Sequence, residues 1–429
     1  MRTLRNLLLA VLLTAAGSVV YQHLGAPLVT KWLDAATVEQ DVSGIEQWRV
    51  QPIYGALASR LYGRGALLAW SVPLFLLVFR RTRRRSEGLA KVLFSSYLFL
   101  AAYLAVELLA APFLITRLGL YNYYFVLDVD HRLPPSHPGI GTNRDALRSP
   151  LERGDVSADD FNVLFTGDSF TFGLGVAWDQ AFPAQVEKLL AARRPELKPR
   201  AFNMGWTSSS PVLALRLLER LGDAYRPDLL VYCLDMTDFH DDIKYQNMLD
   251  RRGIYWFFDK VPITLRLLEQ VWPSGFEALY RRSNDNLPRE RFFHSEQPLE
   301  LSRSALRPTL ANLEKLAAWA QQRDIPFVTV LLPRFYQYNA TECPQNREAG
   351  FYTLEGPYSL EPFRFFDEKR SSLSFPVLSL LPTFERTEVF PTCFPDDPHW
   401  NPDGHRVAAE AITSFLLPVI DARQKRMAE

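Results

Sequence analysis

Cysteine is scarce in this 429-residue chain, with three in all, which excludes a disulfide-rich scaffold or a cysteine-clustered metal fold. Neither sign of charge is in excess. Lysines and arginines number 48 and acidic residues 48, so the long-range attraction that a nucleic acid or other polyanion would need is missing. There is no internal repeat and no low-complexity tract, which excludes solenoids and disordered tails as the main architecture. Gly-x-Ser-x-Gly is absent, arguing against the serine elbow of an α/β-hydrolase. His-Glu-x-x-His is absent too. Asp238, His240, Asp241, Asp242, His399 and His405 match no ligand spacing, so no metal and no other cofactor is expected.

Aromatic residues make up 13% and there are 30 prolines, a composition suited to a globular enzyme with long ordered loops. The length suggests two or three units. Three apolar runs near the start, about 5–22, 62–80 and 91–115, predict transmembrane helices within an anchor over 1–118, the first of them readable as a signal peptide instead. Arg80-Arg81-Thr82-Arg83-Arg84-Arg85 lies between the second and third runs and reads as a cytoplasmic loop under the positive-inside rule. That orientation sends everything after about Thr116 out of the cytoplasm, in bacterial terms into the periplasm from the inner membrane. A Pro- and Gly-rich lead-in over 119–160 then precedes a domain over 161–429.

From Asn162 onward, apolar strand patterns alternate with amphipathic helix patterns, which predicts an α/β domain with a parallel sheet covered on both faces. Strands are expected at Val163–Phe165, Arg200–Asn203, Leu229–Leu234 and Pro326–Leu332. Helices are expected at Phe182–Arg194, Val212–Leu221, Ala305–Arg323 and Asp403–Leu417. The stretch 240–302 breaks the rhythm and reads as a lid-like insertion. Pro333 to Phe390 is read as irregular, with Arg334 directly after a strand, where ligand-facing residues of open sheets sit. Cys343 and Cys393 fall in loop segments of the exported part, where a disulfide would persist; two unrelated thiols fit the spacing equally well.

The chemistry centres on Val163-Leu164-Phe165-Thr166-Gly167-Asp168-Ser169, an apolar strand that ends where a serine hydroxyl becomes available. Far downstream, Asp396-Asp397-Pro398-His399 places a carboxylate three residues before a histidine. A serine needs a base within hydrogen-bond reach and a carboxylate to orient that base. Ser169, His399 and Asp396 are the expected set, with Asp397 a rival for the carboxylate role. An oxyanion also needs donors, and the N–H groups of Ser169 and of Gly205, after a short strand, are the candidates.

Gly167-Asp168-Ser169-Phe170, Gly205 after its strand, the polar turn after Leu234 and Asp396-x-x-His399 together resemble, in order, the four blocks of the SGNH (GDSL-type) hydrolases. The resemblance covers roughly Asn162 to the C-terminus. It implies a flavodoxin-like three-layer fold and serine-based ester chemistry. With a membrane anchor, it is similar to envelope proteins that acetylate or deacetylate polysaccharides, including the alginate-acetylation type. That in turn implies a carbohydrate acyl ester as substrate, with envelope protein partners. The third block departs from the pattern: Asp235-Met236-Thr237-Asp238 puts Thr237 where the family's oxyanion asparagine would sit. Asp235, Asp238 and Arg334 are then the candidate substrate contacts. The alternative is a catalytically degenerate glycan-binding or envelope assembly module.

Overall fold

The computed structural model describes residues 71–117, 141–157, 159–250 and 291–428, with isolated residues between 252 and 288. The chain divides into two compact units, one of residues 1–128 with 256–279 and the other of 129–255 with 280–429.

In the first unit, residues 71–83 form helix α1 and Glu87–Arg117 form α2. The two pair through Phe75 stacked on Tyr97, with ring centroids 3.9 Å apart, and through Ser71 Oγ at 3.2 Å from the Tyr97 hydroxyl. The basic run closes α1 and makes the turn into α2. Outside that contact the helices expose apolar side chains, among them Leu74, Val92, Leu98 and Phe99, the last 78% exposed. Among the described residues no helix is long and apolar enough to cross a membrane. The run expected at 5–22 and the first part of that at 62–80, residues 62–70, lie outside the described residues, and the run expected at 91–115 falls within α2.

The second unit is built on β1 (Phe161–Gly167), β2 (Pro199–Asn203), β3 (Leu229–Leu234), β4 (Phe327–Leu331) and β5 (Val377–Ser379). Every residue of β1, β3 and β4 is buried, the mark of strands covered on both faces, and explains why they read as unbroken apolar runs. The strands run parallel in the order β2-β1-β3-β4-β5. Val163 pairs with Ala201 on one side and Leu229 on the other. Connections reverse direction at β1, the switch point beside which open α/β sheets bind their ligands. Ser169, Gly205, Asp235 and Arg334 each follow a strand by a few residues and reach that edge.

A four-residue helix, α3 (Ser169–Phe172), follows β1 directly. Helix α4 (Phe182–Arg193) packs on the long C-terminal helix; α5 (Pro211–Leu221), α6 (Asp238–Leu249) and α7 (Leu299–Gln321) pack together as a second group. Two helices, α8 (Glu361–Lys369) and α9 (Leu381–Arg386), and the strand β5 lie within the stretch read as irregular. The strand has three residues, too few to show a period of two. Helix α10 (Pro402–Ala428) continues through Pro418, past the stop expected at Leu417. Of the expected insertion over 240–302, the first part is α6 and the last is the start of α7; residues 253–271 lie outside the described residues.

Candidate active site

Ser169 is presented by a turn that admits no side chain at its apex. Gly167 has φ +155°, and a Cβ there would lie 2.2 Å from Thr171 Oγ1 and 2.6 Å from the Cys233 carbonyl. The Asp168 carboxylate accepts the Phe170 N–H at 2.9 Å and caps α3, so the serine begins a helix two residues beyond the end of β1.

His399 arrives on a loop that folds on itself. The Asn401 N–H donates to the Thr392 carbonyl at 2.9 Å, and the Phe394 N–H to that of His399 at 3.2 Å. The Asn401 side chain accepts the N–H groups of Asp403 and Gly404, both at 3.0 Å, and so starts α10. Next to the histidine, Trp400 is fully buried, edge-on to Phe170 and stacked on Phe384. The His399 ring also lies on Phe170, centroids 4.9 Å apart. These contacts bring His399 Nε2 to 2.7 Å from Ser169 Oγ.

The carboxylate on the other ring nitrogen belongs to Asp397. Its Oδ1 meets His399 Nδ1 and also accepts the His399 backbone N–H at 3.0 Å. Asp396, the expected partner, is exposed. An aspartate two residues ahead can fold over its own turn and accept the backbone N–H of the residue it orients, an Asx turn, and Asp397 sits at that spacing. Asp397 Oδ2 pairs with Arg347 Nη2 at 2.6 Å. Burial alone would raise the Asp397 carboxyl, but His399 and Arg347 outweigh it and hold the group well below the usual carboxylate range.

Beneath the serine lies a buried polar floor. Arg334 donates from Nε and Nη2 to the two Asp235 oxygens at 2.9 and 2.8 Å, and from Nη1 to Glu348 at 2.7 Å. Arg334 is 2% exposed and Asp235 0%, so neither is placed as a substrate contact; they anchor one another. Thr237 donates both its N–H, at 2.9 Å, and its hydroxyl, at 2.5 Å, to Asp235 Oδ2. Asp238 accepts the Tyr232 hydroxyl at 3.0 Å and the Asp235 N–H at 3.1 Å, and is likewise wholly buried. Burial and the Asp235 charge push the carboxyls of Asp168 and Asp238 well up. Asp235, buried as they are, is kept ionised by Arg334.

The expected oxyanion donors therefore divide. The Thr237 hydroxyl is engaged by Asp235. The Gly205 N–H donates to Asn203 Oδ1 at 2.9 Å, while Asn203 Nδ2 donates to the Thr171 carbonyl at 2.8 Å. A Cβ on Gly205 would fall 2.4 Å from the Phe172 nitrogen, so this glycine is required by close packing against α3. Ser169 N–H has no acceptor among the described residues. Cys343 and Cys393, the candidate disulfide, are both free and buried. Cys393 Sγ faces the Tyr338 hydroxyl at 3.5 Å and the Pro398 carbonyl at 3.6 Å. Burial pushes the Cys343 thiol up to about 12.

Sequence reasoning passed over Arg347, Glu348 and Asn203. Asn203 could have been found from its place at the end of a strand, two residues before Gly205. No local signal marks Arg347, fifty positions before Asp397.

No family model and no curated protein matches the chain. Among solved structures it is similar to an alpha/beta hydrolase enzyme from the metagenome of Lake Arreo, Spain, at 17% identity over 60% of this chain and 96% of that one, with TM-score 0.32. It is also similar to an acetylxylan esterase from Geobacillus stearothermophilus, at 16% identity over 61% and 94% of the two chains, TM-score 0.31. A third is a protein from Desulfitobacterium hafniense assigned to the G-D-S-L lipolytic family, at 14% identity over 59% and 99%, TM-score 0.30.

Proposed function

We propose that the chain is a serine esterase anchored in the inner membrane and working on its outer side, with an acyl ester of a carbohydrate, an acetyl group first of all, as substrate. One observation carries the chemistry: a hydroxyl 2.7 Å from one nitrogen of an imidazole whose other nitrogen meets a carboxylate. With Nδ1–H donating to Asp397, Nε2 is the acceptor that takes the serine proton. Ser169 Oγ attacks the acyl carbonyl while His399 receives that proton and passes it to the leaving alcohol. Asp397 stabilises the charged ring. Ser169 N–H is the donor open to the oxyanion, and Gly205 N–H joins it only by leaving Asn203. Water, activated by the same histidine, then releases the acyl group; a sugar hydroxyl in its place makes the reaction a transfer.

Membrane anchoring is supported by the three apolar runs, by the arginine run between two of them and by the apolar side chains that α1 and α2 expose. The carbohydrate ester, and envelope proteins as partners, are supported by the block resemblance joined to that anchor.

The oxyanion geometry favours a second reading. With Gly205 and Thr237 engaged, each missing donor forgoes roughly 3 kcal/mol of transition-state stabilisation, which suits a module that holds an ester without turning it over. Full-length protein in detergent micelles, treated with p-nitrophenyl acetate and with a fluorophosphonate probe, decides between them. The esterase hydrolyses the first and is labelled by the second, and Ser169→Ala abolishes both. A wild-type protein that the probe does not label sinks the esterase reading and leaves the binding module.

A further inference from the structure

The histidine loop does not hold its shape alone; a second segment runs beside it. Glu342 accepts the Thr392 N–H at 2.8 Å and the Cys393 N–H at 3.1 Å. The Gln345 N–H donates to the Pro395 carbonyl at 2.8 Å. Arg347 then pairs with Asp397 at 2.6 Å. Each contact joins residues separated by 50 positions or 51, so the two segments lie alongside one another in the same direction and in fixed register. The far end of the first segment is held at Glu348 by the buried Arg334, which in turn grips Asp235 beyond β3.

We propose that residues 342–348 form a strap that fixes the histidine loop, and that Arg347 is a positioning residue for the esterase reaction; this rests on the functional reading above. The physical argument lies in how the Asp397 carboxylate divides its oxygens. Oδ1 serves the imidazole and its backbone N–H, and Oδ2 serves Arg347. The terminal torsion of an aspartate is soft and roughly two-fold, so one oxygen held by the ring leaves the carboxylate plane free to swing. A guanidinium on the second oxygen removes that freedom. Arg347 keeps about half its surface exposed, and Asp397 about a quarter, so the clamp closes from the solvent side without occupying the serine.

Test it on the full-length protein in micelles, comparing wild type, Arg347→Ala, Arg347→Lys and Arg406→Ala, the last a control from an exposed ion pair on α10. Arg347→Ala should lower kcat on p-nitrophenyl acetate about tenfold with KM changed less than about twofold, because an outer partner orients rather than binds. Arg347→Lys should recover most of the loss. A second readout needs no turnover: in protein labelled with 15N-histidine, the low-field Nδ1–H resonance of His399, identified by its loss in His399→Gln, should be sharp in wild type. It should broaden or vanish in Arg347→Ala and return in Arg347→Lys. A resonance unchanged by Arg347→Ala overturns the strap, as does a raised KM with intact kcat, which would make Arg347 a substrate contact. If wild type hydrolyses no ester, the functional reading falls and the resonance alone decides.

Discussion

Asp396 and Asp397 are neighbours of identical chemistry, and the difference between them is one peptide unit. Only Asp397 can accept the backbone N–H of His399 while touching its ring, so Asp397→Asn should lower kcat by about a thousandfold or more, in line with the loss of a triad carboxylate. Asp396→Asn should leave kcat within about twofold, measured on the same ester; equal losses in both would place the carboxylate role elsewhere. Thr237 poses a similar choice. Its hydroxyl donates to buried Asp235, so Thr237→Val should cost about 1.5–3 kcal/mol of unfolding free energy in urea and leave kcat nearly unchanged. A large fall in kcat at unchanged stability would instead make the hydroxyl an oxyanion donor. The serine and histidine were legible because each sits in a short pattern tied to a strand end or a turn. The carboxylate was not, since spacing along the chain does not say which of two adjacent side chains folds back.

Between elements, charge does the tying. Arg334, at the end of β4, reaches Asp235 past the end of β3 and Glu348 on the strap. Arg334→Met leaves Asp235 buried without its cation and should cost about 3–5 kcal/mol, read as a drop in the denaturation midpoint. Asp242 plays a comparable part among the helices: from α6 it accepts the Val212 N–H at the start of α5, at 2.8 Å, and the Asn312 amide of α7, at 2.6 Å. Burial, only partly offset by those hydrogen bonds, raises its carboxyl to about 6 from an ordinary 3.8. The native state thus holds a proton that the unfolded chain has released. This contribution to stability is full below pH 3.8, declines as pH rises to about 6 and is flat beyond, a fall of about 3 kcal/mol. Asp242→Asn should remove that decline from urea denaturation curves measured across the interval; an unaltered slope would show that another group carries it. The alternation from β1 to β3 was open to sequence reading because those strands are buried throughout and flanked by helices of three turns. From residue 333 to 390 the elements are short and held by side-chain pairs such as Glu342 with Thr392, which leave no periodic trace.

At the scale of the molecule, the apolar surface of α1 and α2 is the feature that no packing within the described residues accounts for. In cells expressing the whole chain, the protein should stay with the membrane pellet after alkaline carbonate extraction, and a C-terminal tag should be cut by protease added to spheroplasts. Release by carbonate would remove the anchor from the proposal; a protected tag would reverse the orientation.

The proton donor and its acceptor come from positions 230 residues apart, and the stretch carrying the imidazole leads straight into the helix that shields α4. A ribosome therefore exposes the hydroxyl long before the base that would activate it has been translated. On the proposed mechanism, nascent chains and fragments cleaved ahead of residue 392 lack the base that would activate Ser169. On that mechanism the serine gains its reactivity only after the two distant portions of the chain have met.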